Sequence, residues 1–247
     1  MKDSIKTLST DTPFFETTDD TILNGRISLK QPKNGYRVAI DPIILAAFVQ
    51  PKDNQSILDV GCGVGTISFI LKSQNPSLKI TAIDIDEKMC ELCRYNSIKN
   101  GLNIDIQNIA IETMRNNESF DHIVTNPPFF PTKSHRISDK KLLANFETIE
   151  LEKWISCCLK LLKNKGTFSM IHTSSRLDEI LFAVRNKLGN IIITPIFAKP
   201  NDKAIRIVVQ GIKGSHSEVK INPAFIIHSS EEKFSKQMQH ILKGKVI

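Results

Sequence analysis

The residues best suited to chemistry in this chain are Asn126-Pro127-Pro128-Phe129, which follow the segment F-D-H-I-V-T at 120–125. That segment is rich in apolar and β-branched residues and therefore predicts a short buried strand. Two successive prolines cannot continue a strand, because each lacks an N–H donor and has a fixed φ. The sequence thus places Asn126 in a stiff loop at the carboxyl end of a strand, where open α/β sheets bind ligands.

An amide held in this way suits a planar nitrogen that carries hydrogens. Asn126 Oδ1 and the Pro127 carbonyl can accept two such hydrogens and present the nitrogen for attack on an electrophile. Phe129 can stack on a base that has first left its own stack. Alternatively, the prolines only stiffen a connection, and Phe129 and Phe130 pack beneath it.

A glycine-rich turn, D-V-G-C-G-V-G at 59–65, joins a predicted strand at 56–60 to a predicted helix at 66–73. Glycine allows a backbone to approach a ligand closely without a Cβ clash. A dinucleotide fingerprint would need its third glycine where Thr66 stands, and here Gly65 comes one residue early. Asp59 would repel a pyrophosphate but suits the cationic end of an amino acid. Asp84 ends the next predicted strand, at the position where an acid binds ribose hydroxyls.

Strand and helix patterns alternate from residue 55 onward and position these residues. One helix carries an apolar stripe of 3.6-residue period, which we predict to end at Gly166: Leu151, Trp154, Ile155, Cys158, Leu159 and Leu162. Further helices are predicted from Ser174 through Leu188 and from Ser230 to Leu242, with a hairpin at 191–197 and 204–209 between them. This order predicts an α/β fold, a mostly parallel sheet covered on both faces that ends in an antiparallel hairpin.

The amino-terminal part precedes this alternation. Residues 1–18 are polar and predict a loose lead-in, and 19–247 predict a single domain. Within it, 19–50 form a small hairpin and a helix, and 51–247 the core with a carboxyl-terminal extension. Asn24-Gly25 lies between two β-prone segments, a strong hairpin signal. Asp41 is predicted to cap the following helix, with Pro42 at its first position.

Composition limits the classes of function. The 247 residues include 40% hydrophobic and 24% charged residues, with no apolar run long enough to span a membrane. Five cysteines without a secretory signal predict reduced thiols in the cytoplasm, and Cys90-x-x-Cys93 is read as helix packing. A net charge of +7 indicates a polyanionic partner. None of the six histidines has metal-ligand spacing, so no metal is predicted.

Together the motifs resemble those of the class I S-adenosylmethionine-dependent methyltransferases that act on planar nitrogens: D-x-G-x-G-x-G at 59–65, Asp84 and N-P-P-F at 126–129. In detail the chain resembles the bacterial tRNA1(Val) adenine-37 N6-methyltransferase family. This finer resemblance rests on the amino-terminal segments T-T-D-D-T at 17–21, Gly25-Arg26, Q-P-x-x-G-Y-R at 31–37, Asp41 and L-A-A at 45–47.

The resemblance implies a Rossmann-like class I methyltransferase fold, with a mostly parallel seven-stranded sheet and the antiparallel carboxyl-terminal hairpin inserted at one edge. It implies S-adenosylmethionine as the cofactor, tRNA as the partner, and we expect a monomer in the cytoplasm. The implied cofactor contacts are Arg37, Asp41, Asp59, Gly61, Gly63, Gly65, Asp84, Ala110 and Asn126. Ala110 departs from the family, which usually has an acid facing the cofactor's adenine there. Glu112 or Asn108 could replace that acid, or the adenine amine could bond to backbone groups and water.

The implied catalytic residues are Asn126, Pro127, Pro128 and Phe129, and the implied substrate contacts are Phe129, Phe130, Lys133 and Arg136. Lys133 and Arg136 belong to a basic segment just after the loop, which suits phosphates but would also serve as a plain solvated surface.

Three alternatives remain at this point. The same loop would serve enzymes that methylate a release-factor glutamine amide or guanine N2 in ribosomal RNA, because these nitrogens are also planar. A non-catalytic, methyltransferase-like RNA-binding protein is a second alternative. A nicotinamide enzyme is a third, and the glycine spacing disfavours it.

Overall fold

The computed structural model describes residues 16–34, 37–115, 119–128 and 150–247. In chain order, its strands and helices are β1 (Thr17–Ile22), β2 (Ile27–Pro32), α1 (Asp41–Phe48), β3 (Ser56–Val60), α2 (Thr66–Gln74), β4 (Lys79–Asp84), α3 (Glu87–Lys99), β5 (Asp105–Asn108), β6 (Phe120–Thr125), α4 (Leu151–Leu161), β7 (Leu162–Thr173), α5 (Leu177–Val184), β8 (Leu188–Phe197), β9 (Ala204–Lys213), β10 (Lys220–Ile221), β11 (Phe225–Ile226) and α6 (Lys236–Leu242). Short 3₁₀ turns occupy Ile111–Thr113 and Ser174–Arg176.

One large sheet lies at the centre, with strand order β10-β8-β9-β7-β6-β3-β4-β5 and β11 also paired with β8. Five neighbouring strands run parallel to one another: β7, β6, β3, β4 and β5. β9 runs antiparallel between β7 and β8. The predicted fold class is therefore confirmed: a mostly parallel sheet of seven main strands contains an inserted antiparallel hairpin. Two short strands, β10 and β11, extend it beyond β8.

Helices cover both faces of this sheet, which explains why the central strands are almost continuously apolar. On one face α1, α2 and α6 pack with the β1–β2 hairpin over a buried cluster that includes Ile44, Phe69 and Met238. On the other face α4 and α5 cover a second cluster that includes Ile155, Phe168 and Ile180. In the part of the chain described, no helix is both long enough and apolar enough to cross a membrane.

The amino-terminal hairpin forms where the Asn-Gly pair predicts it. β1 and β2 pair antiparallel, and the connecting residues Leu23, Asn24 and Gly25 all have positive φ. Leu23, Ile27 and Leu29 are buried in the first core cluster, so the hairpin packs on the domain. The prediction of a small N-terminal hairpin is confirmed.

Two asparagines, Asn96 in α3 and Asn100 directly after it, hold this hairpin in place. Asn96 Oδ1 accepts from Lys30 N at 2.7 Å, and its Nδ2 donates to Lys30 O at 3.0 Å. Asn100, one helical turn later, makes the same pair of bonds with the backbone of Ser28, at 2.9 and 2.7 Å. Asn96 Nδ2 also donates to Val64 O in the glycine-rich turn, at 3.2 Å. Side-chain amides thus link the hairpin both to α3 and to that turn.

We expect Asn96→Ala to lower the free energy of unfolding by about 3 kcal/mol, because backbone groups of Lys30 and Val64 would lose partners in a buried place. Asn100→Ala is the matched control, since Asn100 is half-buried and water can replace its amide; about 1 kcal/mol is expected. Urea denaturation of both variants measures the difference. Equal losses would show that the bond to the turn adds nothing.

Several predicted element ends are wrong, each because a distant contact decides the local structure. Asp41 does not cap α1: the helix begins at Asp41 itself, Ile40 occupies the cap position, and the carboxylate pairs with Arg206 at 2.8 Å. Gly166 does not end α4, which stops at Leu161 because Leu162 already pairs with Phe120 in the sheet. A Cβ at Gly166 would lie 2.9 Å from Asp121 O, so a close approach of strands requires this glycine.

The predicted helices near the carboxyl terminus are shorter than expected. Leu188 is not on a helix; α5 ends at Val184, Asn186 has a φ of 60°, and Leu188 pairs with Lys213 as the first residue of β8. The last helix begins at Lys236 instead of Ser230, because Ser235 caps it by accepting from Met238 N at 3.1 Å.

Candidate active site

Three loops meet at the carboxyl edge of the parallel strands. In the β3 ladder, Val60 is paired with Ile83 of β4 on one side and with Thr125 of β6 on the other. The residues that follow, Gly61, Asp84 and Asn126, therefore lie at one edge of the sheet, although they are far apart in the sequence. The predicted cofactor and catalytic segments are brought together by strand register.

The glycine-rich turn between β3 and α2 needs its glycines for conformation. Gly61, Gly63 and Gly65 have φ values of 72°, 54° and 95°, which L side chains rarely adopt. The amides of Gly61 and Cys62 both donate to Ile83 O, at 2.9 and 3.0 Å, and fasten the turn to β4. A Cβ at Gly63 would meet no atom within 4 Å. The turn thus has open space beside Gly63.

Asp84 joins the end of β4 to this turn. Its Oδ2 accepts from Gly63 N at 2.8 Å and its Oδ1 from Asp86 N at 2.9 Å. Burial raises the pKa of the Asp84 carboxyl, and the two backbone donors partly offset that effect. Each carboxylate oxygen has a second lone pair that can accept a further hydrogen, for example from a hydroxyl group.

Asp59 lies under the turn and is almost fully buried. Its Oδ2 accepts from Ser68 Oγ at 2.7 Å and from Ser68 N at 3.2 Å, whereas Oδ1 has no hydrogen-bond partner among the described residues. The same holds for the buried Thr66 Oγ1 at the start of α2. Desolvation raises the pKa of Asp59 to about 7, against the smaller opposing effect of the Ser68 bonds. Such an unsatisfied buried carboxylate favours a cation nearby.

Asp59 gives a pH-dependent stability that can be measured without any ligand. Because its pKa in the folded chain, about 7, exceeds the ordinary value of 3.8, the folded state holds a proton over that range that the unfolded state lacks. Its contribution to stability is therefore complete below about pH 4 and is lost as the pH rises through about 7. We expect the free energy of unfolding of the native chain, relative to Asp59→Asn, to fall over this range in urea titrations. A difference that does not vary with pH would contradict this expectation.

Asn126 leaves the sheet directly after Thr125 and is half-buried; Pro127 is buried and Pro128 is exposed. Thr125 Oγ1 donates to Val60 O at 2.9 Å, so the end of β6 is tied to the residue that precedes Gly61. The predicted strand 120–125 is confirmed residue for residue. The loop that carries Asn126 thus begins from a fixed point beside the glycine-rich turn.

One residue of this site, Trp154 on α4, was not predicted from the sequence. Its Nε1 donates to Thr125 Oγ1 at 3.1 Å, and a Cβ at Gly61 would lie 3.4 Å from its ring. The apolar stripe of α4 indicated only that Trp154 faces the sheet. Its position within the stripe, near the amino end of a helix that follows the Asn126 loop, was the available signal.

Arg37 and Asp41 make contacts within the protein. The Arg37 guanidinium donates to Thr18 Oγ1 and forms an ion pair with Asp20, both at 2.7 Å, and so fastens the β1–β2 hairpin. The Asp41 carboxylate pairs with Arg206 of β9. Their role in cofactor binding stays a prediction.

Ala110 lies just after β5, before the 3₁₀ turn. Of its two suggested replacements, Asn108 is the better placed: it is paired with Asp84 in the ladder, and its Nδ2 donates to the carbonyls of Asp84 and Ile85, both at 3.0 Å. Glu112 instead faces Lys153 of α4, at 4.0 Å. A role of Asn108 Oδ1 as a polar acceptor at this edge is therefore favoured over one for Glu112.

Phe129, Phe130, Lys133 and Arg136 lie outside the described residues. All five cysteines are free thiols, and Cys90 and Cys93 are buried in α3 as predicted. Within the described ranges, no group of three or more His, Cys, Asp or Glu side chains could hold a metal ion. A cavity of about 750 Å³ lies beside the 3₁₀ turn Ile111–Thr113 and the carboxyl end of α4. Its lining includes Met114, Lys160 and Lys213, so it does not lie at the edge of the sheet that carries Asn126.

These groups suit a ligand with several kinds of charge. The amino terminus of α2 favours an anionic group, the buried Asp59 favours a cation, and Asp84 can accept hydroxyl hydrogens. Asn126 directly follows β6, the neighbour of β3, at the same edge of the sheet.

Comparison with known proteins agrees with this description. The family model "methyltransferase small domain" matches residues 40–175, more than half of the chain. The chain belongs to the methyltransferase small domain family. The matched region runs from the start of α1 to the end of β7 and contains every described residue of the site discussed above except Arg37.

Two curated relatives of this methyltransferase have the same name. A tRNA1(Val) (adenine(37)-N6)-methyltransferase from Porphyromonas gingivalis is 29% identical over 196 residues, which is 74% of this chain and 77% of the relative. The protein of the same name from Pseudoalteromonas translucida is 25% identical over 214 residues, 84% of this chain and 90% of the relative.

Solved structures of methyltransferases share the fold. A predicted O-methyltransferase from Agrobacterium tumefaciens superposes with a TM-score of 0.70 at 21% identity, covering 83% of this chain and 97% of the other. The T. thermophilus 16S rRNA N2 methyltransferase in complex with AdoMet and guanosine has a TM-score of 0.56 at 14% identity, covering 80% of this chain and 50% of the other. The class I methyltransferase fold is thereby shown.

Proposed function

We propose that this methyltransferase transfers a methyl group from S-adenosylmethionine to the exocyclic N6 of an adenine in tRNA. The observation that carries the proposal is a hydrogen bond that links the two parts of the site, the glycine-rich turn and the loop that carries Asn126. Thr125, just before Asn126, bonds to Val60, just before the glycine-rich turn, at 2.9 Å. A methyl donor held at the glycine-rich turn and an amine held at Asn126 would therefore meet at the same edge of the sheet.

The residues of the turn fit S-adenosylmethionine. Its carboxylate suits the amino terminus of α2, where the buried Thr66 Oγ1 has no partner among the described residues. Its ammonium and sulfonium charges would favour the ionised form of the Asp59 carboxyl, whose buried Oδ1 has no partner among the described residues. Its ribose hydroxyls suit Asp84. Ile85 is 62% exposed directly after Asp84 and offers an apolar surface for the adenine ring.

When bound, S-adenosylmethionine supplies an electrophilic methyl group that needs no further activation. The amine of adenine is a poor nucleophile, because its lone pair is delocalised into the ring. Asn126 Oδ1 and the Pro127 carbonyl accept the two amine hydrogens, which draws the nitrogen toward tetrahedral geometry and aims its lone pair. Positioning accounts for most of the expected rate enhancement, and the two acceptors also stabilise the developing positive charge.

The substrate is proposed from the relatives and from charge. Two relatives that cover about three quarters or more of this chain are named as adenine N6-methyltransferases of tRNA1(Val). The net charge of +7 supports a polyanionic substrate. A tRNA substrate and five free thiols both support action in the cytoplasm. We also propose that the chain acts as a monomer.

The test is transfer of labelled methyl from S-adenosylmethionine to unmodified tRNA, ribosomal RNA and release factor, assayed side by side, with the RNA then digested to nucleosides. Label recovered from tRNA as N6-methyladenosine is the expected result. Label in release factor, or as N2-methylguanosine, would overturn the substrate but not the site. If the chain does not bind the cofactor and transfers no labelled methyl to any substrate, the alternative of a non-catalytic RNA-binding protein is favoured.

A further inference from the structure

The single tryptophan of this chain, Trp154, touches both halves of the site. Its indole nitrogen donates to Thr125 Oγ1 at 3.1 Å, immediately before the Asn126 loop. Its six-membered ring lies over Gly61, where an added Cβ would be 3.4 Å from Cη2 and Cζ2. The side chain is half-buried.

The hydrogen bonds around Trp154 form a short relay. Thr125 is fully buried, and its single hydroxyl accepts from the indole and donates to Val60 O at 2.9 Å. A hydroxyl has one hydrogen, so donation to Val60 leaves its lone pairs to accept from the indole. The two bonds therefore support each other and fix the ends of β3 and β6 relative to α4.

Plain packing does not require this arrangement. A phenylalanine would fill most of the same space against Gly61 but would donate nothing to Thr125. The indole N–H instead ties α4, which follows the Asn126 loop in the sequence, to the residue at which that loop begins.

We propose that Trp154 is a positioning residue: through Thr125 it sets the distance between the Asn126 loop and the glycine-rich turn. This inference rests on the proposed function, because that distance matters only if a group passes from one side to the other. Misplacement of a reacting group by about 1 Å can cost on the order of a hundredfold in rate. Trp154 thus acts on the rate of transfer and not on the chemistry of either partner.

The test compares kcat, KM and the Kd of S-adenosylmethionine in Trp154→Phe, Thr125→Val and the double variant. In each we expect kcat to fall by about tenfold to a hundredfold, with Kd changed by less than about threefold. The double variant should be no slower than the worse single variant, because both remove the same relay. Thr125→Ser, which keeps the hydroxyl, should recover kcat relative to Thr125→Val.

The matched control is Ile155→Val, which removes one methyl group from the next, fully buried residue of α4. We expect it to lower the melting temperature without changing kcat. If Trp154→Phe lowers only the melting temperature, or loses kcat no more than this control does, Trp154 is a packing residue and the inference fails. If Trp154→Phe does not fold, Thr125→Val and Thr125→Ser decide the question alone. If the native chain methylates none of the offered substrates, the proposed function fails, and the inference fails with it.

Discussion

Replacement of Asn126 by alanine is expected to reduce methyl transfer at least about a hundredfold, while the Kd of S-adenosylmethionine changes by less than about threefold. Alanine removes the acceptor of one amine hydrogen but leaves the glycine-rich turn and its bond to Asp84 unchanged. Transfer of labelled methyl measures the first effect, and calorimetric titration with the cofactor measures the second.

Asn126→Asp is the matched control, because it keeps an acceptor oxygen on a side chain of the same length. It should retain more activity than Asn126→Ala. Equal loss of transfer and of cofactor binding in the alanine variant would assign Asn126 to the cofactor site and contradict its role in holding the amine.

Gly65→Ala is expected to destabilise the fold by about 3 kcal/mol and to abolish cofactor binding. Gly65 has a φ of 95°, and an added Cβ would lie 2.5 Å from the ring of Phe69 and 2.7 Å from Cys93 Sγ. Both neighbours are fully buried, so any shift of their side chains would disturb the packed core. The start of α2 would therefore be displaced, as measured by urea denaturation and cofactor titration.

Gly63→Ala separates crowding from conformation. Gly63 also has a positive φ, 54°, but its added Cβ meets nothing within 4 Å. Only the conformational penalty remains, about 1 kcal/mol. Equal losses of stability in the two variants would mean that contacts with Phe69 and Cys93 do not contribute to the cost of a side chain at position 65.

Local signals explain what the sequence could predict. The strand that ends at two prolines, the glycine spacing at 61–65 and the acid at Asp84 each depend on a few neighbouring residues. Alternation of strands and helices then predicts a mostly parallel sheet, in which the carboxyl ends of the strands lie at one edge.

Long-range contacts explain what the sequence could not predict. The Trp154–Thr125 bond joins residues 29 positions apart. The Asp41–Arg206 ion pair, which occupies the carboxylate that was predicted to cap α1, joins residues 165 positions apart. Leu188 continues a helical period in the sequence but pairs with Lys213 in a strand. Periodicity does not reveal which residue of a distant strand is available as a partner.

Asn96 and Asn100 also have a consequence for association between chains. β1 covers only one side of β2, and the other side would expose the N–H and C=O groups of Ser28 and Lys30 as an open strand edge. Such an edge is a template for pairing with another copy and hence for aggregation. The amides of Asn96 and Asn100 occupy all four of these groups. A helix thereby closes a sheet edge with side chains and keeps a short hairpin from recruiting a neighbour.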